Sequence, residues 1–233
     1  MLRGYETYEF HWVYHTIHNF CTVELSAIYL DIVKDRLYVE GKTSLLRRSA
    51  QTVLCEVLDA LVRLLAPVLT FMAEEIWPYV PGDKTEENVQ MAEMPKVNPE
   101  WMNEKMADLW DQILELRTDV AKALEKARQE KMINHPLTAH VDLYPNEAQY
   151  GFLQQVPNLA EIFIVSDLTM HGPQEDRPEG VQQAEVHEGL GILVQPAKGE
   201  KCERCWMFDE KVGKNEEHPT LCPRCSTVVG SLD

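Results

Sequence analysis

Apolar residues recur every three or four positions along the first third of the chain, which is the spacing of amphipathic helices. A first stripe covers residues 17–32, and a second covers 54–69 after a break at Gly41. Thr43 or Ser44 can cap the second helix, and Pro67 is expected to kink or end it. A further helical turn over 71–77 ends at Pro78. Residues 1–96 are therefore predicted to form a helical bundle.

A longer helix and then a change of period follow. Asn98 and Pro99 supply an N-cap and a proline at the first helical position, and the helical stripe continues to about residue 132. Residues 97–136 are thus predicted as a long connecting helix. Apolar and polar residues alternate over 139–144, which predicts a strand, and Asn146 can cap a helix after it. With two more strands expected at 162–165 and 191–194, residues 137–197 are predicted as a small α+β unit.

Four of the six cysteines form two matched pairs. They stand as Cys202-x2-Cys205-x16-Cys222-x2-Cys225. Each pair can turn two thiolates toward one point, and two pairs complete a tetrahedron around Zn²⁺. Four sulfurs close the coordination shell, so the spacing predicts one structural zinc ion in a ribbon over 198–233. His218, between the pairs, either replaces a cysteine or lies in a solvated loop.

The rest of the chain offers no catalytic motif. Phosphate-binding, dinucleotide-binding and nucleophile-elbow motifs are absent, and His11 and His15 lack the glutamate of a metalloprotease helix. No catalytic residue is assigned. Cys21 and Cys55 lie among apolar residues and are expected to be buried thiols. No apolar run approaches the ~20 residues of a membrane span and no signal peptide is evident, which favours a soluble, cytoplasmic protein.

Charge is unevenly distributed along the chain. The composition is that of a globular protein, with 45% hydrophobic and 26% charged residues, but the net charge of −16 opposes nucleic-acid binding in general. Residues 137–197 hold nine acidic residues and a single basic one, Arg177. Any contact with nucleic acid therefore belongs to the two ends of the chain.

Six segments, taken in order, carry a resemblance to one family. They are Asn19–Ser26, Tyr29–Tyr38, Arg47–Thr52, Pro67–Trp77, Gly199–Trp206 and Leu221–Cys225. The first four resemble the anticodon-binding helical domain of bacterial isoleucyl-tRNA synthetases, and the last two resemble the zinc-binding C-terminal end of that family. The resemblance covers essentially the whole chain. Valine and leucine enzymes share the bundle but are not expected to end in this ribbon.

The resemblance implies tRNA binding and anticodon discrimination within a class I isoleucine–tRNA ligase, which joins isoleucine to its tRNA with ATP. The family's HIGH and KMSKS motifs and its editing domain are absent, so the chain resembles a C-terminal fragment that is inactive alone. ATP then belongs to the missing catalytic domain. The implied partner is the anticodon stem-loop of isoleucine tRNA, bound by a monomer away from membranes.

Three residues of the ribbon are candidates for reading RNA. Trp206 directly follows a cysteine of the first pair, and Arg204 lies inside that pair. A hairpin fixed by a metal preorganises such side chains for stacking on splayed bases. By resemblance, Trp206 stacks on an anticodon base and Arg204 contacts that base or a phosphate. Trp206 can instead cap the ribbon's core, and Arg224 is a third RNA candidate that can instead shield the sulfurs.

Three arginines of the predicted bundle are further RNA candidates. Arg47 and Arg48 are adjacent at a helix start, so one can point outward while the other packs near the core. With Arg36 they can line a site for phosphates or base edges. The alternative is that all three are solvated surface residues.

Two other classes of protein compete with this interpretation. Formamidopyrimidine-DNA glycosylases have a zinc finger of similar spacing, but they use an N-terminal proline as nucleophile, where this chain has Leu2. A zinc-ribbon interaction module without tRNA specificity would bind a basic protein through the acidic middle segment. Such binding is expected to survive removal of zinc, whereas RNA reading is not.

Overall fold

The structure is a computed structural model that describes residues 1–231, and it divides into two compact units after Met102. The first unit is helical. Its helices are α1 Leu2–Glu6, α2 Phe10–Asn19, α3 Leu30–Tyr38, α4 Leu45–Leu65 and α5 Thr70–Ile76, with a π-helix at Phe20–Tyr29 and 3₁₀ turns at Trp77–Tyr79, Val89–Met91 and Pro99–Trp101. Within residues 1–231, every helix is too short or too polar to span a lipid bilayer.

The π-helix continues α2 into α3. Its turns are wider than those of an α-helix, so residues three or four apart do not stay on one face. None of its ten residues is fully buried. The expectation of buried thiols is wrong: Cys21 in the π-helix and Cys55 on α4 are both half-buried.

The break around Pro67 separates α4 from α5. As predicted, the proline ends the helix: α4 ends at Leu65 and the next helix begins at Thr70. The predicted side-chain cap of α4 is wrong, because the Ser44 hydroxyl donates to the Glu40 carboxylate at 2.8 Å and accepts no helix N–H. The helices on either side of this break contribute to one cluster of buried apolar residues. It consists of Val62, Ala66, Ala73, Trp77, Val80 and Val89.

The second unit combines a long helix with a four-stranded sheet and the cysteine region. Its elements are α6 Glu104–Gln129, β1 Ala139–Tyr144, α7 Glu147–Leu153, α8 Leu159–Phe163, β2 Asp167–Met170, β3 Gln182–Gln183, β4 Gly191–Pro196, β5 Glu200–Lys201, β6 Phe208–Asp209 and α9 Pro223–Gly230, with a 3₁₀ turn at Pro136–Thr138. The sheet order is β2-β1-β4-β3, with β2 parallel to β1 and the other neighbours antiparallel. α6 packs on β4 and α8. Its buried apolar residues are Ile113, Leu116, Val120, Ala123, Leu124 and Ala127.

Two expectations about this unit need correction. The long helix begins at Glu104, capped by the Asn103 side chain, whereas Asn98 and Pro99 start only a short 3₁₀ turn. The first two residues of the strand expected at 162–165 are instead the end of α8, Ile164 caps that helix, and the real strand follows at 167–170. A short apolar run of four residues fits either a helical turn or a core strand, so periodicity alone does not separate them. The strands at 139–144 and 191–196 and the Asn146 cap are confirmed.

A buried carboxylate joins α6 to the loop before β4. Asp119 is 3% exposed and accepts the backbone N–H groups of Glu185, Val186 and His187 at 3.0–3.1 Å. It also pairs with His187 Nδ1 at 3.0 Å. Burial acts to raise the pKa of Asp119, but these four hydrogen bonds outweigh it and lower the pKa. The carboxylate therefore holds the loop as an anion.

Candidate zinc and RNA-binding site

Two turns bring the cysteine pairs together. The first pair lies on the hairpin of β5 and β6, where Cys202 N–H donates to the Met207 carbonyl and Trp206 N–H donates to the Cys202 carbonyl, both at 2.9 Å. The second pair opens α9, with Cys222 at the N-cap and a proline at the first helical position. The β5–β6 hairpin thus carries two of the sulfurs, and the start of α9 carries the other two.

The geometry of the four sulfurs fits a tetrahedral metal site. All four Sγ atoms lie within 4.8 Å of one another, and all four cysteines are buried. The Sγ atoms of Cys205 and Cys222 are 3.8 Å apart, and a tetrahedron with Zn–S bonds of about 2.3 Å has edges of about 3.8 Å. Cys202 Sγ also accepts the Cys222 N–H at 3.3 Å. The predicted ligands therefore converge on one Zn²⁺ position, and His218 is not among them.

The protonation of the thiols favours metal uptake at higher pH. The hydrogen bond to Cys225 and burial raise the pKa of Cys205, so without metal this thiol holds its proton through neutral pH. Zinc requires thiolates and must displace such protons. When bound, the ion supplies folding energy and no open coordination position, since four sulfurs occupy its shell.

Two arginines of the cysteine region, Arg204 and Arg224, each lie beside a sulfur atom. Arg204 is half-buried, and its Nη1 lies 3.6 Å from Cys225 Sγ, where its charge offsets that of the thiolates. Arg224 Nη2 lies 4.0 Å from Met207 Sδ. Arg204 thus shields the sulfurs, a role that the sequence suggested for Arg224. Contact of either arginine with RNA stays a prediction.

Trp206 projects from the hairpin into solvent. Its side chain is 60% exposed, which does not fit the alternative that it caps the ribbon's core. Its φ is +66°, a strained conformation for a bulky residue that persists only where surrounding structure imposes it. Lys201 Nζ lies 5.1 Å from the ring centroid, within range of a cation–π contact. The site therefore presents an aromatic ring with a cation beside it.

Close backbone packing supports the Trp206 hairpin. Gly199 has a φ of +85°, and a Cβ placed there would lie 2.4 Å from the backbone of Asp209. Only glycine allows the two strands to approach this closely. The sequence showed the glycine but not this contact.

The bundle arginines differ from one another in exposure. Arg47 is half-buried and donates from Nη1 to the Glu40 carbonyl at 3.2 Å, whereas Arg48 is exposed. This matches the expected division of one packed and one outward arginine. Arg36 is half-buried on α3. Their role in RNA binding stays a prediction.

Sequence reasoning missed a polar cluster on the sheet. The Asp142 carboxylate pairs with His171 Nε2 at 2.8 Å and with His140 Nε2 at 3.3 Å. His171 Nδ1 pairs with Glu175 at 2.8 Å, and its ring stacks on Tyr144 at 4.2 Å. Burial acts to lower the pKa of His171, but the two carboxylate hydrogen bonds outweigh it and raise the pKa. Residues distant in sequence build this cluster, so no local pattern signals it.

Comparison with known families agrees with the geometry. Residues 1–143 match the anticodon-binding domain of tRNA ligase, and residues 199–228 match a zinc finger found in FPG and IleRS. The chain belongs to the family of tRNA ligase anticodon-binding domains.

Three curated relatives are isoleucine–tRNA ligases. The protein from Desulfitobacterium hafniense is 64% identical over 232 residues, covering 100% of this chain and 25% of the relative. Those from Moorella thermoacetica and Carboxydothermus hydrogenoformans are 52% and 48% identical, covering 98% and 100% of this chain and 25% and 24% of the relatives. The chain thus spans about a quarter of their length.

Proposed function

We propose that this chain is the tRNA-binding, anticodon-reading part of an isoleucine–tRNA ligase. The observation that carries the proposal is the exposed Trp206 ring, held at a strained backbone angle by the zinc hairpin. The partner is the anticodon stem-loop of isoleucine tRNA, bound by a monomer in the cytoplasm. The joining of isoleucine to tRNA with ATP belongs to parts of the ligase outside this chain.

The exposed ring and the cations near it are suited to binding a single-stranded RNA loop. Unstacked bases bind aromatic faces, and flanking phosphates bind cations. Lys201 covers one face of the Trp206 ring, so a base stacks on the other. Arg204 holds the sulfur cluster while its remaining N–H groups, together with Arg224, face the RNA. Arg36, Arg47 and Arg48 contact the phosphate backbone from the bundle.

Replacement of the ring tests this function. Trp206→Ala is expected to weaken binding of the zinc-loaded chain to the native anticodon stem-loop by roughly 5- to 150-fold, because one stacked base is worth about 1–3 kcal/mol. Trp206→Phe keeps a smaller ring and should lose less. Trp101→Ala is the control, since this tryptophan is similarly exposed but lies far from the hairpin in sequence.

Fluorescence anisotropy of a labelled stem-loop at low salt gives the affinities. An equal loss of RNA affinity in Trp206→Ala and Trp101→Ala would contradict the proposal. No RNA binding, together with zinc-independent binding of a basic protein, would favour the interaction module instead.

A further inference from the structure

Hydrogen bonds at two points join the Trp206 hairpin to the neighbouring sheet. In the linker between β4 and β5, the Ala197 N–H donates to the Thr138 carbonyl at 2.8 Å. On β6, the Phe208 N–H donates to the Ser166 hydroxyl at 2.8 Å. The first bond joins two backbone groups, whereas the second depends on a side chain. A substitution of Ser166 can therefore remove one of these links and leave the other in place.

Ser166 is itself held by the sheet. Its N–H donates to the Ala139 carbonyl at 3.2 Å, and its hydroxyl donates to the Leu137 carbonyl. The second bond uses the single proton of the hydroxyl, so the oxygen remains as an acceptor. An acceptor is what the Phe208 N–H requires. The serine thus contacts the start of β1 on one side and holds β6 on the other.

A cavity lies between β6 and the sheet. Its volume is about 680 Å³, and Ser166, Gln195 and Phe208 are among the residues that line it. Side chains do not pack on one another across a cavity, so the contacts at its border determine how the two elements are oriented. The bond between Ser166 and Phe208 is one of these contacts. Its contribution to the orientation of the hairpin is therefore larger than it would be in a filled interface.

The link at Ser166 is separate from the metal site. The four cysteines lie between residues 202 and 225, and their sulfurs converge within the ribbon. Phe208 pairs with Lys201 across the hairpin, and the Lys201 ammonium group lies beside the Trp206 ring. Ser166 therefore holds the strand pair next to the ring and its cation, but it bonds to none of the metal ligands.

We propose that Ser166 is a positioning residue for RNA binding and that it acts through Trp206. Its hydroxyl holds the hairpin in the orientation in which the ring meets a splayed base. Without the hydroxyl, the hairpin turns about the remaining bond at Ala197, and a smaller fraction of the molecules presents the ring correctly. Binding weakens in proportion to that fraction. The proposal rests on the proposed RNA-binding function.

Affinity for the anticodon stem-loop tests the role of the hydroxyl. Ser166→Ala should weaken binding by the zinc-loaded chain roughly 2- to 12-fold, the equivalent of the 0.5–1.5 kcal/mol that one hydrogen bond contributes. Ser166→Thr keeps the hydroxyl and should bind nearly as well as the wild type, since the cavity beside it can take the added methyl group. Thr227→Val is the control, because the Thr227 hydroxyl donates to the Pro223 carbonyl within α9. Equal affinities of Ser166→Ala and this control would overturn the proposal.

A double-mutant cycle separates positioning of the ring from a general loss of structure. If Ser166 acts through the ring, Ser166→Ala should weaken binding much less in a Trp206→Ala background than in the wild type. The same fold-loss in both backgrounds would overturn the proposal. Zinc affinity, measured by chelator competition, should be equal in Ser166→Ala and the wild type. Weaker zinc binding in Ser166→Ala would mean that the hydroxyl serves folding of the ribbon, and would overturn its positioning role.

Residual dipolar couplings of the RNA-free, zinc-loaded chain measure the orientation of the hairpin without RNA. In Ser166→Ala, the couplings of residues 199–228 should shrink relative to those of β1 and β4, and in Ser166→Thr they should not. Unchanged couplings in Ser166→Ala would overturn the proposal.

The same measurements separate failure of this inference from failure of the proposed function. Smaller couplings in Ser166→Ala, together with a wild-type chain that binds no RNA, would overturn the proposed function and the RNA role of Ser166 with it. Wild-type RNA binding that Ser166→Ala leaves unchanged would overturn only the role of Ser166.

Discussion

Removal of the Asp119 carboxylate tests how the second unit is held together. In Asp119→Ala, three backbone N–H groups and the His187 ring lose their acceptor. Hydrogen bonds to a charged group contribute about 1.5–3 kcal/mol each, but they are not additive. The loop's N–H groups also regain water, since Glu185 and Val186 are exposed. We expect a loss of about 3 kcal/mol in the free energy of unfolding.

Amide hydrogen exchange is the suitable assay, because it reports α6 and β4 separately from the first unit. Asp119→Asn keeps one acceptor oxygen and should lose less. Asp111→Ala is the control on an exposed position of the same helix, with an expected change within about 0.5 kcal/mol. If Asp119→Ala lowers the free energy of unfolding no more than the control does, the proposed role of the carboxylate is refuted.

The effect of Asp119 has a defined pH dependence. Its pKa is lowered in the folded chain, so its stabilisation is fully present above the unfolded value of about 3.9 and disappears as pH falls through the lower folded value. The difference between wild type and Asp119→Ala should therefore shrink only in strong acid. A difference that shrinks instead as pH rises through neutrality would contradict the assignment.

Three further predictions concern the metal and the sheet. Chelation of zinc should unfold residues 199–228, and adding zinc back should refold them with release of protons, as followed by circular dichroism and a pH indicator; retained structure after chelation would contradict a folding role. Gly199→Ala should weaken zinc binding in a chelator competition far more than Gly213→Ala, because both have a φ of +85° but only the first Cβ meets backbone. At pH values below ~6.5, His171→Gln should lower the melting temperature, and this decrease should become smaller as pH rises through the raised pKa of His171 in the folded chain. A decrease in melting temperature that does not depend on pH would contradict pairing of a charged His171 with the carboxylates.

Much of the site was predictable because its chemistry is encoded locally. The spacing of two cysteine pairs restricts where four sulfurs can meet, and the structure confirms their convergence. The apolar stripe of α6 and the capping side chain of Asn146 are likewise local signals, and both are confirmed. Tertiary contact is not needed to infer such features.

Other features depend on contacts that a single sequence does not show. The apolar run at 162–165 fits a helix end as well as a strand, so the end of α8 at a left-handed Ile164 was not foreseeable. The π-helix at Phe20–Tyr29 has an ordinary helical sequence pattern. Arg204 is flexible enough to reach either solvent or sulfur, and only folding directs it to Cys225. The residue types that can contact RNA were therefore easier to predict than the directions in which their side chains point.

Anticodon discrimination by the zinc-loaded chain is the most direct test of the proposed function. Isoleucine tRNA and a copy with a swapped anticodon are titrated side by side at low salt, because a chain of net charge −16 is expected to bind RNA weakly at high salt. A base-edge contact is worth about 1–3 kcal/mol of discrimination, so the native tRNA should bind about tenfold more tightly or better. Equal affinity for the two RNAs would contradict anticodon reading by this chain.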